Sequence, residues 1–78
     1  MGTNAQEELK AHLLATNEDF RRLAMEHSEY AQKIDALEAQ PHLSEHDRIE
    51  EHRLKKLKLR LKDQMELFMS RYRAQHVA

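Results

Sequence analysis

The chain of 78 residues has no cysteine, no tryptophan, one glycine and one proline. Without cysteine there is no disulfide framework, no thiolate metal site and no cysteine nucleophile, a pattern that fits a reducing compartment. A single glycine leaves nothing from which to build phosphate-cradling loops, and hairpin turns fare no better. β-Branched residues are also scarce: Thr3, Thr16, Ile34, Ile49 and Val77 are the whole set. No apolar run exceeds three residues, as at Leu13–Ala15, against the roughly 20 that a bilayer span requires. The first ten residues include Gln6, Glu7 and Glu8 where an export signal would carry an apolar core. These absences point to a single-domain, cytoplasmic, membrane-free chain.

What remains is rich in helix formers. Charged residues make up 35 % of the chain and hydrophobic ones 40 %, a balance typical of long helices. The strongest break is at Pro41, which cannot continue a helix and biases Gln40 away from helical dihedrals. Ser44 follows as an N-cap, with Asp47 three residues later in a capping-box arrangement. Thr3 or Asn4 can cap the first helix. The expectation is therefore a first helix over about residues 4–39, a turn over 40–44 and a second helix over 45–74. The weak helix formers Thr16-Asn17-Glu18-Asp19 mark a place where the first helix can kink or restart.

Apolar spacing then suggests how the helices meet. Leu9, Leu13, Thr16, Phe20, Leu23, His27, Tyr30, Ile34 and Leu37 follow each other at intervals of three and four, the spacing of a heptad seam. The second helix offers Ile49, Leu54, Leu57, Leu61, Met65, Phe68 and Tyr72. Folded at residue 42, the chain pairs Leu37 with Ile49, Tyr30 with Leu54 and His27 with Leu57. The same register opposes Leu23 to Leu61, Phe20 to Met65, Thr16 to Phe68 and Leu13 to Tyr72. The fold class expected is all-α: an antiparallel two-helix hairpin with coiled-coil-like packing. Leu14, Met25, Leu59, Leu67 and Met69 fall off that seam. Leu59 lies about 200° around the helix from Leu57 and Leu61. Such a second apolar surface suits a homo-oligomer, as in a two-fold dimer that forms a four-helix bundle.

The net charge of −1 conceals a strong asymmetry. Residues 1–52 carry five basic and twelve acidic side chains; residues 53–78 carry eight basic and two acidic. Arg53, Lys55, Lys56, Lys58, Arg60 and Lys62 form a run without an intervening anion. Its first reading is intramolecular, with Glu26 and Glu29 beside it and Glu7 and Glu8 near Arg71 and Arg73, a pairing that sets helix orientation. Its second is a phosphate-binding stripe for nucleic acid or an anionic membrane surface. The run contains no aromatic residue on which single-stranded bases would stack.

Histidine is frequent, but its spacing does not make a metal site. His42 and His46 straddle the Ser44 cap, and a zinc site needs at least three supported ligands. His27, on the seam opposite Leu57, reads as a polar seam residue bonded to Glu26 or to backbone near Thr16, with a pH switch as the alternative. No nucleophile–base pair is visible and two helices provide no cleft, so neither an enzyme nor a cofactor is expected.

Two segments resemble a known family. The run from Phe20 to Glu38, with Leu23, Glu26, His27, Tyr30, Ile34 and Leu37, is similar to the first signature of the YdcH-like proteins. The run from Arg53 to Met65, with Lys55, Lys56, Lys58, Leu59, Leu61, Lys62 and Asp63, resembles the second. The likeness covers about residues 7–68. It implies a small bacterial helical hairpin of unknown function, with no catalytic residue to carry over. Phe20, Leu23, His27, Ile34, Leu61 and Met65 fall on the seam. Lys55, Lys56, Lys58, Leu59, Lys62 and Asp63 fall on the outward side, which makes them the candidate surface for a protein partner or for self-association.

Overall fold

The structure is a computed structural model that describes residues 5–76. Among these residues there are three helices and no strand: α1 (Ala5–Thr16), α2 (Glu18–Glu38) and α3 (Glu45–His76). The fold is thus all-α as expected, but it is not a two-helix hairpin. The expected caps Thr3 and Asn4 lie outside the described residues.

The break between α1 and α2 is a helix stop followed at once by a helix start. Asn17 is extended (φ −119°, ψ 115°), and its side-chain oxygen accepts the Phe20 backbone N–H at 2.9 Å. An asparagine in this role satisfies one of the donors that a helix start leaves without a partner. On the other side of the break, the Thr16 hydroxyl donates to the His12 carbonyl (2.8 Å) and Arg21 Nε donates to the Leu14 carbonyl (3.0 Å). The weak helix formers at 16–19 therefore end one helix and cap the next. The expected single helix over 4–39 is replaced by two.

One extended residue is enough to swing α1 off the axis of α2. Had α1 continued antiparallel to α3, Gln6 would lie level with the end of the chain. Instead it borders Asp63, Glu66 and Arg73, and Lys10 lies near His27, Lys58 and Lys62. α1 crosses back over the α2–α3 pair and packs on both helices. α3, about 48 Å long at 1.5 Å per residue, sets the 52 Å long axis of the molecule.

α2 and α3 run antiparallel, joined by residues 39–44. The Asp47 backbone N–H donates to Ser44 Oγ (3.0 Å), the N-cap expected from the sequence. Leu13, Phe20, Ile34, Leu54, Leu61, Met65 and Met69 are buried. Leu13, Phe20, Met65 and Met69 form one cluster drawn from all three helices, with Leu9, Leu14, Leu23 and Phe68 packed around it. Phe20 is wholly inaccessible and meets Phe68 edge-on, ring centroids 6.0 Å apart.

Several expected packing positions are corrected by α1. Met69, expected off the seam, is buried because α1 covers its side of α3, and Leu14 is half-buried for the same reason. Thr16, expected opposite Phe68, is exposed with its hydroxyl turned back to its own helix. Phe68 packs on Phe20 instead. Ile49, expected opposite Leu37, is 65 % exposed. It lies about 140° from Leu54 around α3, whereas Glu50 and Glu51, four and three residues before Leu54, are half-buried. Met25, Leu59 and Leu67 are exposed.

Candidate functional site

The six cations of Arg53–Lys62 divide by helix geometry. Lys55, Lys58 and Lys62 succeed each other at three and four residues and share one face of α3, while Lys56 and Arg60 share another. The first face looks onto α2 at His27. Lys55, Lys58, Leu59 and Lys62 border, with His27, a hollow of about 310 Å³. His27, Lys58 and Lys62 also border a second hollow of about 280 Å³, completed by Lys10 of α1 and by Met65 and Glu66. The two hollows share three residues and so form one groove. Lys56 borders neither hollow, and Asp63 lines an adjoining one, beside Arg73, that shares Gln6, Glu66 and Met69 with the second.

Compensation of the basic run differs from expectation. Glu26 and Glu29 make no ion pair with it among the described residues. Anions nearer the turn do so instead. Lys55 Nζ lies 3.0 Å from Glu38 and 3.6 Å from Glu51, and Arg53 grips Glu50 at 2.7 Å. The hydrogen bond from Lys55 holds the Glu38 carboxyl below its ordinary range, and Glu38 in turn raises Lys55. Arg53 likewise lowers Glu50 by hydrogen bonding. These pairs are exposed, where such contacts contribute little to stability. Lys10, Lys56, Lys58, Arg60 and Lys62 have no ion-pair partner among the described residues.

His27 is half-buried, and neither Glu26 nor the backbone near Thr16 hydrogen-bonds it. Burial comes first in holding its imidazole below the ordinary value, followed by the positive field of Lys58, Lys10 and Lys62. The ring thus sits beside three lysines whose field, like its burial, disfavours the imidazolium. Lys10 was the one cation of the groove that the seam pattern could not place, because its position depends on the direction α1 takes after Asn17. The cap-like Thr16-Asn17-Glu18-Asp19 stretch was the available signal. Among the described residues no group of three or more His, Asp or Glu side chains is arranged to hold a metal ion. No described helix is long and apolar enough to cross a membrane.

The basic face and the seam beneath it both fall within a stretch that matches a family. Residues 20–69 match the family described as "Protein of unknown function (DUF465)". The chain belongs to this family, the YdcH-like small bacterial proteins. The match begins at Phe20 and ends at Met69, so it comprises most of the α2–α3 pair and excludes α1. In this YdcH-like chain the groove thus joins family-matched residues, His27, Lys58 and Lys62, to Lys10 from outside the match. No curated protein and no solved structure matches the chain.

Proposed function

We propose that this YdcH-like chain is a non-catalytic cytoplasmic interaction module whose first partner is a second copy of itself. The observation that carries this reading is the back of α3. Ile49 and Leu67 are 65 % and 56 % exposed and stand eighteen residues apart, about five full turns, on one line of the helix. A two-fold axis near residue 58 brings Ile49 of one copy against Leu67 of the other, with the 58 % exposed Leu59 level with the axis but about 80° around the helix, at the edge of the contact. Only seven hydrophobic side chains are buried among the described residues, so a single chain has little core and gains much from covering this line.

The same geometry opposes Lys56 to Arg60 near the axis, and like charges there repel until salt screens them. Added salt is therefore expected to strengthen association. Light scattering at about 50 and about 500 mM salt tests this on the parent, Leu59→Glu and Leu67→Glu. A parent mass that doubles and rises with salt, with monomeric variants of unchanged helicity, supports the reading. A monomeric parent, or variants of unchanged mass, overturns it.

A second reading rests on a different observation: Lys56, Lys58, Arg60 and Lys62 lie within seven residues without ion-pair partners. That density of uncompensated charge suits the phosphates of a nucleic acid. It predicts the opposite salt response, with binding to RNA or DNA falling as salt rises and a shallower slope in Lys58→Ala.

A further inference from the structure

We infer that the groove between α1, α2 and α3 is a binding site for the dianion of a phosphate monoester, held by Lys10, Lys58 and Lys62 over His27. The inference does not rest on self-association, because Lys58 stands about 180° around α3 from Ile49 and Leu67; of the residues invoked there, Leu59 alone borders the adjoining hollow.

Charge sets the class of ligand. Lys10, Lys58, Lys62 and Glu66 border the 280 Å³ hollow, and with His27 neutral their sum is two positive charges. None of the three lysines has an ion-pair partner among the described residues. A dianion therefore neutralises the hollow, where a monoanion leaves it half compensated. Lys55, on the adjoining hollow, is already engaged by Glu38 and Glu51 and adds little.

Shape narrows the class further. The three ammonium groups come from two helices, Lys10 from α1 and Lys58 and Lys62 from successive turns of α3. That arrangement suits the three terminal oxygens of one compact phosphoryl group, each able to take a charge-assisted hydrogen bond. A dicarboxylate of the same charge spreads its two groups along a chain. The floor is His27 with the apolar Met65 and Met69, a surface against which the organic part of a monoester can rest. Lysines that repel one another across a half-buried ring, with Glu66 as the anion bordering the same hollow, are costly without a ligand. A bound dianion reverses that field.

The reversal gives a readout that general charge attraction does not reproduce. Without ligand, burial and the lysines disfavour imidazolium at His27. With phosphate bound, the ring gains an anionic neighbour and its pKa rises. NMR titration of the full chain with phenyl phosphate at about pH 7.5, where the monoester is dianionic, reads both events. Saturable shifts at Lys10, His27, Lys58 and Lys62 are expected, with the His27 imidazole titrating at higher pH in the bound form. Lys58→Ala/Lys62→Ala should weaken binding about tenfold or more. Lys56→Ala/Arg60→Ala removes the same charge from the other face of α3 and should leave both readouts in place. Lys10→Ala, on a different helix, repeats the loss if the α3 double variant unfolds.

Equal weakening by the two double variants, or shifts that never saturate, overturns the site. Succinate binding as tightly as phenyl phosphate overturns the phosphoryl assignment. A single-stranded RNA that displaces phenyl phosphate, and depends on Lys56 and Arg60 as much as on Lys58 and Lys62, replaces the small-molecule site with stripe-wide nucleic-acid binding.

Discussion

The Tyr72 hydroxyl lies 3.0 Å from His12 Nε2, and the two rings stand 5.3 Å apart at 55°, although sixty residues separate them in sequence. This contact fastens the C-terminal half of α1 to the last turns of α3. It is exposed, so its hydrogen bond exchanges with water at small net gain.

Tyr72→Phe removes that hydroxyl and keeps the ring. The expected cost is about 0.5–1 kcal/mol, and it should fall on α1 more than on the α2–α3 pair. Hydrogen exchange separates the two: faster exchange over residues 5–16 with little change over residues 54–65 is the expected pattern. Uniform acceleration along the chain would show that α1 does not open by itself.

Asn17→Ala tests the junction. The substitution removes the acceptor for the Phe20 N–H and is expected to cost about 1 kcal/mol, read as a lower urea midpoint with an unchanged slope. Asn17→Asp keeps an acceptor and adds a negative charge at the start of α2, where the helix dipole favours it. It should match the parent or exceed it. A loss equal to that of the alanine variant would exclude capping as the role of this side chain.

These junction residues also mark how far the fold was legible in the sequence. The Ser44 cap, the turn after Glu38 and the burial of Phe20, Ile34, Leu54, Leu61 and Met65 follow from spacing and cap chemistry, which are local. The stop at Thr16–Asn17 was visible for the same reason. The course of α1 beyond it was not, because one residue's extended dihedrals aim a whole helix and composition does not encode that angle. The positions that depend on the angle differ with it: Met69 and Leu14 are covered, and Thr16 does not face Phe68. Ile49 failed for a separate reason. Its place on the seam rested on apolarity alone, while the three-and-four spacing back from Leu54 leads to Glu50 and Glu51. In the candidate surface, Lys55, Lys58, Leu59 and Lys62 were brought together beside His27, whereas Lys56 and Asp63 turn elsewhere because one outward run covers more than one face of a helix.

Phe20→Ala should be the most damaging single change. Phe20 is fully inaccessible and joins Leu13, Met65 and Met69 across three helices. Truncating such a side chain typically costs about 3–5 kcal/mol, which approaches the whole stability of so small a domain. Loss of the cooperative thermal transition by circular dichroism is expected at 25 °C or slightly above. Phe20→Leu retains most of the volume, forfeits the edge-on contact with Phe68, and should remain folded with a reduced midpoint.

Acid should weaken the fold in two separate windows. His27 has its imidazole pKa lowered from the ordinary 6.5, chiefly by burial. The unfolded chain therefore binds the proton before the folded chain does, and stability falls as pH drops below about 6.5 until the folded-state value is passed. The charges that act on the ring beside its burial are Lys58 and Lys62 on α3 and Lys10 on α1, which repel the imidazolium and outweigh Glu66, the anion bordering the same hollow. Glu38 and Glu50 have carboxyl pKa values lowered from 4.5 by hydrogen bonds from Lys55 and Arg53. Their contribution is present above about 4.5 and is lost as pH falls through their lower folded-state values. Urea midpoints measured from pH 8 to pH 3 on the parent, His27→Leu and Lys55→Met separate the windows. The leucine variant should flatten the step near neutrality and keep the acid step; the methionine variant should keep the neutral step and shrink the acid one to the part that Glu50 contributes through Arg53. A parent-like slope between pH 7 and 5 in His27→Leu would show that its ring is not the group responsible.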